Sequence, residues 1–211
     1  IFTIGLPVFM YLIFSAGNAI DAEMPGGDGN SMLAVRMAVY GACTACASIG
    51  ALTAWERQQG WTRQLLLTPL SPLGFALQKL VTALVVALVP VVLVLAIAAA
   101  TGAEAPLGNW LLCGLIGWLG ASLFALYGLL LALVIRSDAS IGIASGGIVI
   151  LAFLGNVFMP LDGWLLTLAR FTPMFGVVNA AERPITFLDL LTHRAGPWYF
   201  FLISGFSPFA E

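Results

Sequence analysis

Between Leu80 and Thr101 the chain carries no charged side chain and no histidine. The stretch from Leu80 to Ile97 alone holds 13 Leu, Val or Ile residues. At roughly −0.3 to −0.6 kcal/mol each, they supply about −4 to −8 kcal/mol toward membrane insertion. A helix needs about 20 apolar residues to cross the hydrocarbon core, and this run is long enough. Pro90 lies inside it and predicts a kink rather than a stop. The rest of the chain has the same character. Charged residues make up 9% and hydrophobic ones 61%, with a mean hydropathy of +1.03. A soluble domain carries about 25% charged residues, so too few polar groups exist here to coat one. Intrinsic disorder is excluded by the same numbers. A net charge of −2 leaves no basic footprint for nucleic acid.

Five apolar runs are spaced along the sequence, at about Ile1–Ser15, Met32–Trp55, Leu80–Thr101, Asn109–Ile135 and Ser140–Met159. A sixth starts at Trp198 and stops at Glu211, too soon to cross. The runs show no two-residue alternation, so helices are expected rather than barrel strands. The expected fold class is all-α: a polytopic membrane helical bundle with five spans and a truncated sixth. Residues 1–211 read as one transmembrane domain. The chain opens on Ile1 rather than Met, which predicts a fragment lacking part of the first span and the end of the sixth.

The connections alternate in charge. Residues 21–30 carry Asp21, Glu23 and Asp28 and no cation, whereas residues 56–79 carry Glu56, Arg57, Arg63 and Lys79. Residues 102–108 carry only Glu104, and Arg136 and Asp138 sit in a tight turn. Cations favour the cytoplasmic side of short loops. The second and fourth connections are therefore expected inside, the first and third outside. Arg36, at the outer end of the second run, goes against this pattern. Arg170, Arg183 and Arg194 do so too, although Asp162, Glu182 and Asp189 offset them.

The third, fourth and fifth runs hold no Asp, Glu, Lys, Arg or His. Ion-driven transporters generally place ionisable groups at membrane depth. No G-x-x-x-x-G-K-[ST] phosphate loop is present either, so the chain has no nucleotide-hydrolysing site of that type. No catalytic residue, cofactor site or metal site is expected, and the chain is not read as an enzyme. Cys43 and Cys46 form a C-x-x-C, but Gly41, Ala42, Ala45, Ala47, Ser48 and Gly50 surround them. A helix-packing face of small residues explains that pattern better than a metal or redox pair. Gly142 and Gly146 form a small-xxx-small pair that suits a dimer or intrachain packing face. Ser145 next to Gly146 lacks a nearby base, since His193 is far along the chain, which argues against an intramembrane protease.

The segment from Trp55 to Lys79 is polar, amphipathic and longer than the usual connection of about 4–6 residues. Gly60 and Pro69 bracket a short helix. Ser71 suits an N-cap, and Pro72 suits the first position of the next helix. A bare reading is an interfacial helix on the lipid headgroups.

The order Glu56, Gly60, Leu65-Leu66, Thr68-Pro69-Leu70-Ser71 and Lys79 resembles the signature of ABC exporter permeases. These are the type 2 membrane subunits of multidrug, lipid and polysaccharide exporters. Leu6-Pro7 with Tyr11-Leu12 resembles that family's first span. Phe158-Met159-Pro160 and Phe171-Thr172-Pro173 resemble its segment after the fifth span. At Trp61-Thr62-Arg63 the chain departs from the family, and a commonly acidic position is basic at Arg63.

The resemblance implies a cytosolic coupling helix seated in a groove of a separate ABC ATPase. ATP and magnesium would bind on that partner. Glu56, Gly60, Arg63, Leu65, Pro69, Ser71 and Lys79 would lie at the joint. Glu56 and Lys79 would be boundary charges, Gly60 would allow tight backbone packing, and Pro69 would set the bend into the third span. The segment 160–197 would form external re-entrant helices, with Trp164, Phe171 and Pro173 in an outer gate. A second permease subunit would complete a homo- or heterodimer in the plasma membrane, expected to be a bacterial inner membrane. The substrate would be amphipathic or lipid-like and would move outward by alternating access. A secondary transporter or channel without an ATPase is the alternative.

Overall fold

A computed structural model describes residues 2–17, 23–24, 27–60, 71–135, 139–158 and 164–192. Helix α1 runs Phe2–Gly17. Two strands of two residues each follow, β1 (Glu23–Met24) antiparallel to β2 (Gly27–Asp28). Then come α2 (Gly29–Gln58), α3 (Pro72–Ala100), α4 (Leu107–Gly120), α5 (Ser122–Val134) and α6 (Ala139–Leu154). Two more helices close the described chain, α7 (Trp164–Ala169) and α8 (Pro173–Thr192).

Among the described residues, three helices are long and apolar enough to cross a membrane: Gly29–Gln58, Leu73–Ala100 and Leu107–Val134. The last combines α4 and α5, joined at Ala121, which keeps helical dihedrals of φ −62° and ψ −18°. Thr3–Ala16 and Ala139–Leu154 are shorter apolar helices. The fifth run thus stops before the expected Met159. The reason is local: Asn156 takes φ +61°, and the Val157 N–H turns back to the Ala152 carbonyl at 3.1 Å. A left-handed residue at this position is a common helix stop, with Asn as the usual substitute for Gly. Gly102, at φ +89°, ends α3 in the same way, with the Ala103 N–H on the Ala98 carbonyl at 3.0 Å.

The helix starts are capped. The Asp28 carboxylate accepts from the Ser31 N–H at 2.9 Å and opens α2. It also accepts from the Glu104 N–H at 3.2 Å, while the Asp28 N–H donates to the Glu104 carbonyl at 3.0 Å. One aspartate thereby caps a helix and joins two connections at the same end of the bundle. Ser71 caps α3 as expected: its hydroxyl accepts from the Gly74 N–H at 3.1 Å, with Pro72 in the first turn. Helix α3 continues through Pro90 to Ala100.

Helix α2 is the hub. It packs on α1, α3, α4, α5, α6 and α8. Small residues let the backbones approach. A Cβ on Gly50 would lie 2.3 Å from the Ala125 carbonyl oxygen, and one on Gly128 would lie 2.1 Å from the Ala47 carbonyl oxygen. On the other side, a Cβ on Gly41 would lie 2.9 Å from Pro90. The face that α3 buries carries Ala83, Ala87, Val91, Val94 and Ala98, spaced three and four apart. Its exposed face carries Leu73, Leu77, Val81, Val85, Val89 and Val92. Bulk therefore points outward and small residues inward. Such a distribution suits lipid contact, because lipid tails solvate Leu and Val while close helix packing favours Ala and Gly.

Polar bonds also link neighbouring helices. The Tyr11 hydroxyl meets the Thr101 hydroxyl at 3.0 Å and ties α1 to the end of α3. The Trp118 indole N–H donates to the Leu84 carbonyl at 2.7 Å, linking α4 to α3.

Candidate functional site

The expected coupling segment leaves α2 and re-enters at α3. Arg63, Leu65 and Pro69 lie outside the described residues, while Glu56, Gly60, Ser71 and Lys79 fall within them. These four bracket the segment at one end of the bundle. The Lys79 ammonium donates to both carboxylate oxygens of Glu56 at 2.5 Å. The two side chains are 15% and 23% exposed, respectively. A pair this sheltered is held more tightly than a solvated surface pair. The ammonium also sits 5.7 Å from the centre of the Phe75 ring, one turn earlier on α3. The last turn of α2 and the second turn of α3 are thus clamped together.

Gly60 has φ +78°, and its N–H donates to the Arg57 carbonyl at 3.2 Å. Among the described residues, a Cβ there would meet nothing within 4 Å. The tight backbone packing expected of this glycine concerns the ATPase, and within the chain a separate demand already applies. The requirement is conformational: L-residues avoid the left-handed region that ends α2 here. Beside this turn a cavity of about 200 Å³ opens, lined by Ala54, Arg57, Gln58 and Ala132.

At the other end, α8 lies against α2 and α4. Thr172 and Pro173 start it, and the Thr172 hydroxyl accepts from the Phe175 N–H at 3.3 Å. Met174, Val177, Val178, Ala181 and Ile185 form its buried face. Glycines on α4 make room: a Cβ on Gly120 would lie 2.6 Å from Val177, and one on Gly117 would lie 3.5 Å from Ala181. Within that apolar face Glu182 accepts a hydrogen bond from Arg36 Nε of α2. Burial pushes the Glu182 carboxyl up, and the Arg36 charge and hydrogen bond oppose the shift. The arginine that broke the charge pattern is thus neutralised by an acid 146 positions away.

The expected gate residues sit apart from this buried face. Trp164 and Phe171 are 75% and 84% exposed, and Pro173 is exposed as well. Gly142 and Gly146 are also exposed, and among the described residues no atom lies within 4 Å of where a Cβ would stand. Among the described residues, α6 packs through Ser140, Ala144, Ile148 and Ala152 on another face. Cys43 and Cys46 are buried in the α2 packing face, with the Cys46 thiol on the Ala83 carbonyl at 3.7 Å. Ser145 donates to the Ile141 carbonyl at 2.9 Å, within its own helix, and His193 lies outside the described residues. Among the described residues no group of three or more His, Cys, Asp or Glu is placed to hold a metal.

Sequence reasoning missed Glu182 as the partner of Arg36, and it missed Gly117, Gly120 and Gly128 as contact points. The only signal for the pair was the anomaly of Arg36 itself. The glycines were visible as small residues, with no indication of what they face.

A clamped and capped joint between two apolar helices, followed by a helix lying on the bundle, is the frame on which the comparison falls. The family model for ABC-2 type transporters matches residues 1–183. The chain belongs to that family. An ABC-2 chain is the transmembrane component of an ABC transporter, and the family works with an ATPase partner. As a family, ABC-2 permeases are generally non-catalytic membrane subunits. The match covers α1 to α7 and α8 as far as Arg183, so it includes the Glu56–Lys79 clamp and the Arg36–Glu182 pair. No curated protein and no solved structure is significantly similar to the chain.

Proposed function

We propose that this ABC-2 chain is one permease subunit of an ATP-driven exporter, working as a homo- or heterodimer in a bacterial inner membrane. Two ABC ATPase subunits, which bind the ATP and magnesium, would drive it. The Glu56–Lys79 clamp is the observation that carries the reading. A force applied to the segment between these residues reaches α2 and α3 together, because the charges tie the two helices at their ends. Helix α2 then passes the motion on, since it packs on nearly every other helix. Arg63, Leu65 and Pro69 belong to the surface that meets the ATPase, and Gly60 and Ser71 set where that surface begins and ends.

Five membrane crossings, with α7 and α8 as external re-entrant helices, belong to this reading. So does an orientation with the clamp in the cytosol. Trp164, Phe171 and Pro173 then stand at the outer mouth as gate residues. Gly142 and Gly146, exposed on α6, are offered to the second permease subunit. The apolar spans suit an amphipathic or lipid-like substrate, as in multidrug exporters. Family membership favours this reading over a secondary transporter or channel.

The test is co-expression with a candidate ABC ATPase subunit, followed by reconstitution in liposomes. The expected result is ATP-dependent extrusion of a fluorescent amphipathic dye, lost in Glu56→Lys and Arg63→Glu variants that still insert. Transport driven by an ion gradient without ATP would overturn the reading.

A further inference from the structure

We propose that Arg36 and Glu182 form a water-releasable lock that holds α8 against α2 and α4 until the pathway opens at that end. Adhesion of α8 does not need the pair. Met174, Val177, Val178, Ala181 and Ile185 already bury an apolar face of α8, and Gly117 and Gly120 already fit it. An apolar pair in place of two buried charges generally holds as well or better. Adhesion alone would therefore place Met or Leu at these positions.

An ion pair differs in how it comes apart. Apolar side chains resist transfer to water in proportion to their area. Separated charges regain their hydration as soon as water enters. The Arg36 and Glu182 side chains are 23% and 11% exposed, so the pair lies at the edge of the buried face, where water arrives first. Closed, the pair fixes the register of α8, because an unpaired charge in that face is costly. Once hydrated, it lets go. The lock rests on the structure alone. Only the assignment of this end as the outer one, and of ATP as the trigger, rests on the exporter reading.

The test uses the full-length chain in membranes and a Val178→Cys reporter on the buried face of α8. Native Cys43, Cys46 and Cys113 are fully buried and give a low background. Labelling by a membrane-impermeant maleimide is read first without nucleotide. Arg36→Met or Glu182→Gln should each raise the labelling rate about ten-fold, the equivalent of one lost favourable pair. The exchanged pair R36E/E182R should return labelling to within about three-fold of the parent. The doubly apolar R36M/E182M should label no faster than the parent and keep its thermal stability, yet lose export about ten-fold because its lock does not release. Parental labelling in both single variants would overturn the lock. So would parental export in R36M/E182M, an arm that stands even where the single variants fail to fold. A labelling pattern as expected, with no ATP-dependent export by the parent itself, would uphold the lock and overturn the exporter reading alone.

Discussion

Lys79 holds both oxygens of Glu56 at 2.5 Å, across 23 positions of sequence. The bond closes a loop whose two ends are helix termini, so neither helix end can move alone. Breaking it by Glu56→Gln or Lys79→Met should cost about 1–3 kcal/mol, between the values for surface and buried pairs. Export per ATP hydrolysed should fall more than ATP hydrolysis itself. The exchange E56K/K79E should recover much of both. Thermal unfolding in detergent and the ratio of dye export to phosphate release are the measurements.

Gly60 supports a second prediction. Its φ of +78° and its open surroundings separate conformation from size. Gly60→Ala should cost about 1–2 kcal/mol, the penalty for a left-handed L-residue. Gly60→Asn should cost less, because Asn visits that region more readily. A bulky Gly60→Trp should match Ala in the isolated chain. A larger loss for Trp only when the ATPase is present would place this turn in the interface. Co-purification of the ATPase distinguishes the cases.

Gly50 and Gly128 should tolerate no side chain. A methyl group at either would lie closer than 2.5 Å to a backbone oxygen, 2.3 Å for Gly50 and 2.1 Å for Gly128, so the crossing of α2 and α5 must open. Overpacking of this kind costs about 1–3 kcal/mol or more. Gly50→Val and Gly128→Val should abolish the monodisperse protein in fluorescence-detected size exclusion. Gly142→Ala and Gly146→Ala should stay within about 0.5 kcal/mol of the parent. A drop in dimer fraction for these two alone would mark the face of the second subunit.

Trp164 and Phe171 lead to a fourth expectation. Both are exposed, so Trp164→Ala and Phe171→Ala should change stability by less than about 1 kcal/mol. Export should nevertheless fall if they line the outer mouth. Trp164→Cys and Phe171→Cys should then label at rates that differ between ATP-bound and nucleotide-free states. Equal, complete labelling in both states would remove the gate assignment.

Ser71 offers a smaller, local test. Its hydroxyl caps α3, and Ser71→Ala should lower stability by about 1 kcal/mol. Ser71→Asp should restore it. Circular dichroism melts of the purified chain are sufficient.

Local chemistry was legible from the residues alone. Runs of Leu and Val without charge require a membrane helix, whatever surrounds them. Ser71-Pro72 marks a helix start because an N-cap and a first-turn proline act within a few residues. The Glu56 to Lys79 spacing pointed to the joint and to the ABC-2 family, and Cys43 and Cys46 read correctly as part of a small-residue face. What needed the tertiary structure was the direction in which each helix faces. In a bilayer both faces of a span are apolar, so hydropathy does not separate the buried Ala83 and Ala87 from the exposed Val81 and Val85. Only the close approach of another backbone shows that Gly128 is a contact point within the chain. The partner of Arg36 was hidden for the same reason. Its charge demanded an acid, but long-range packing alone decided that the acid would be Glu182.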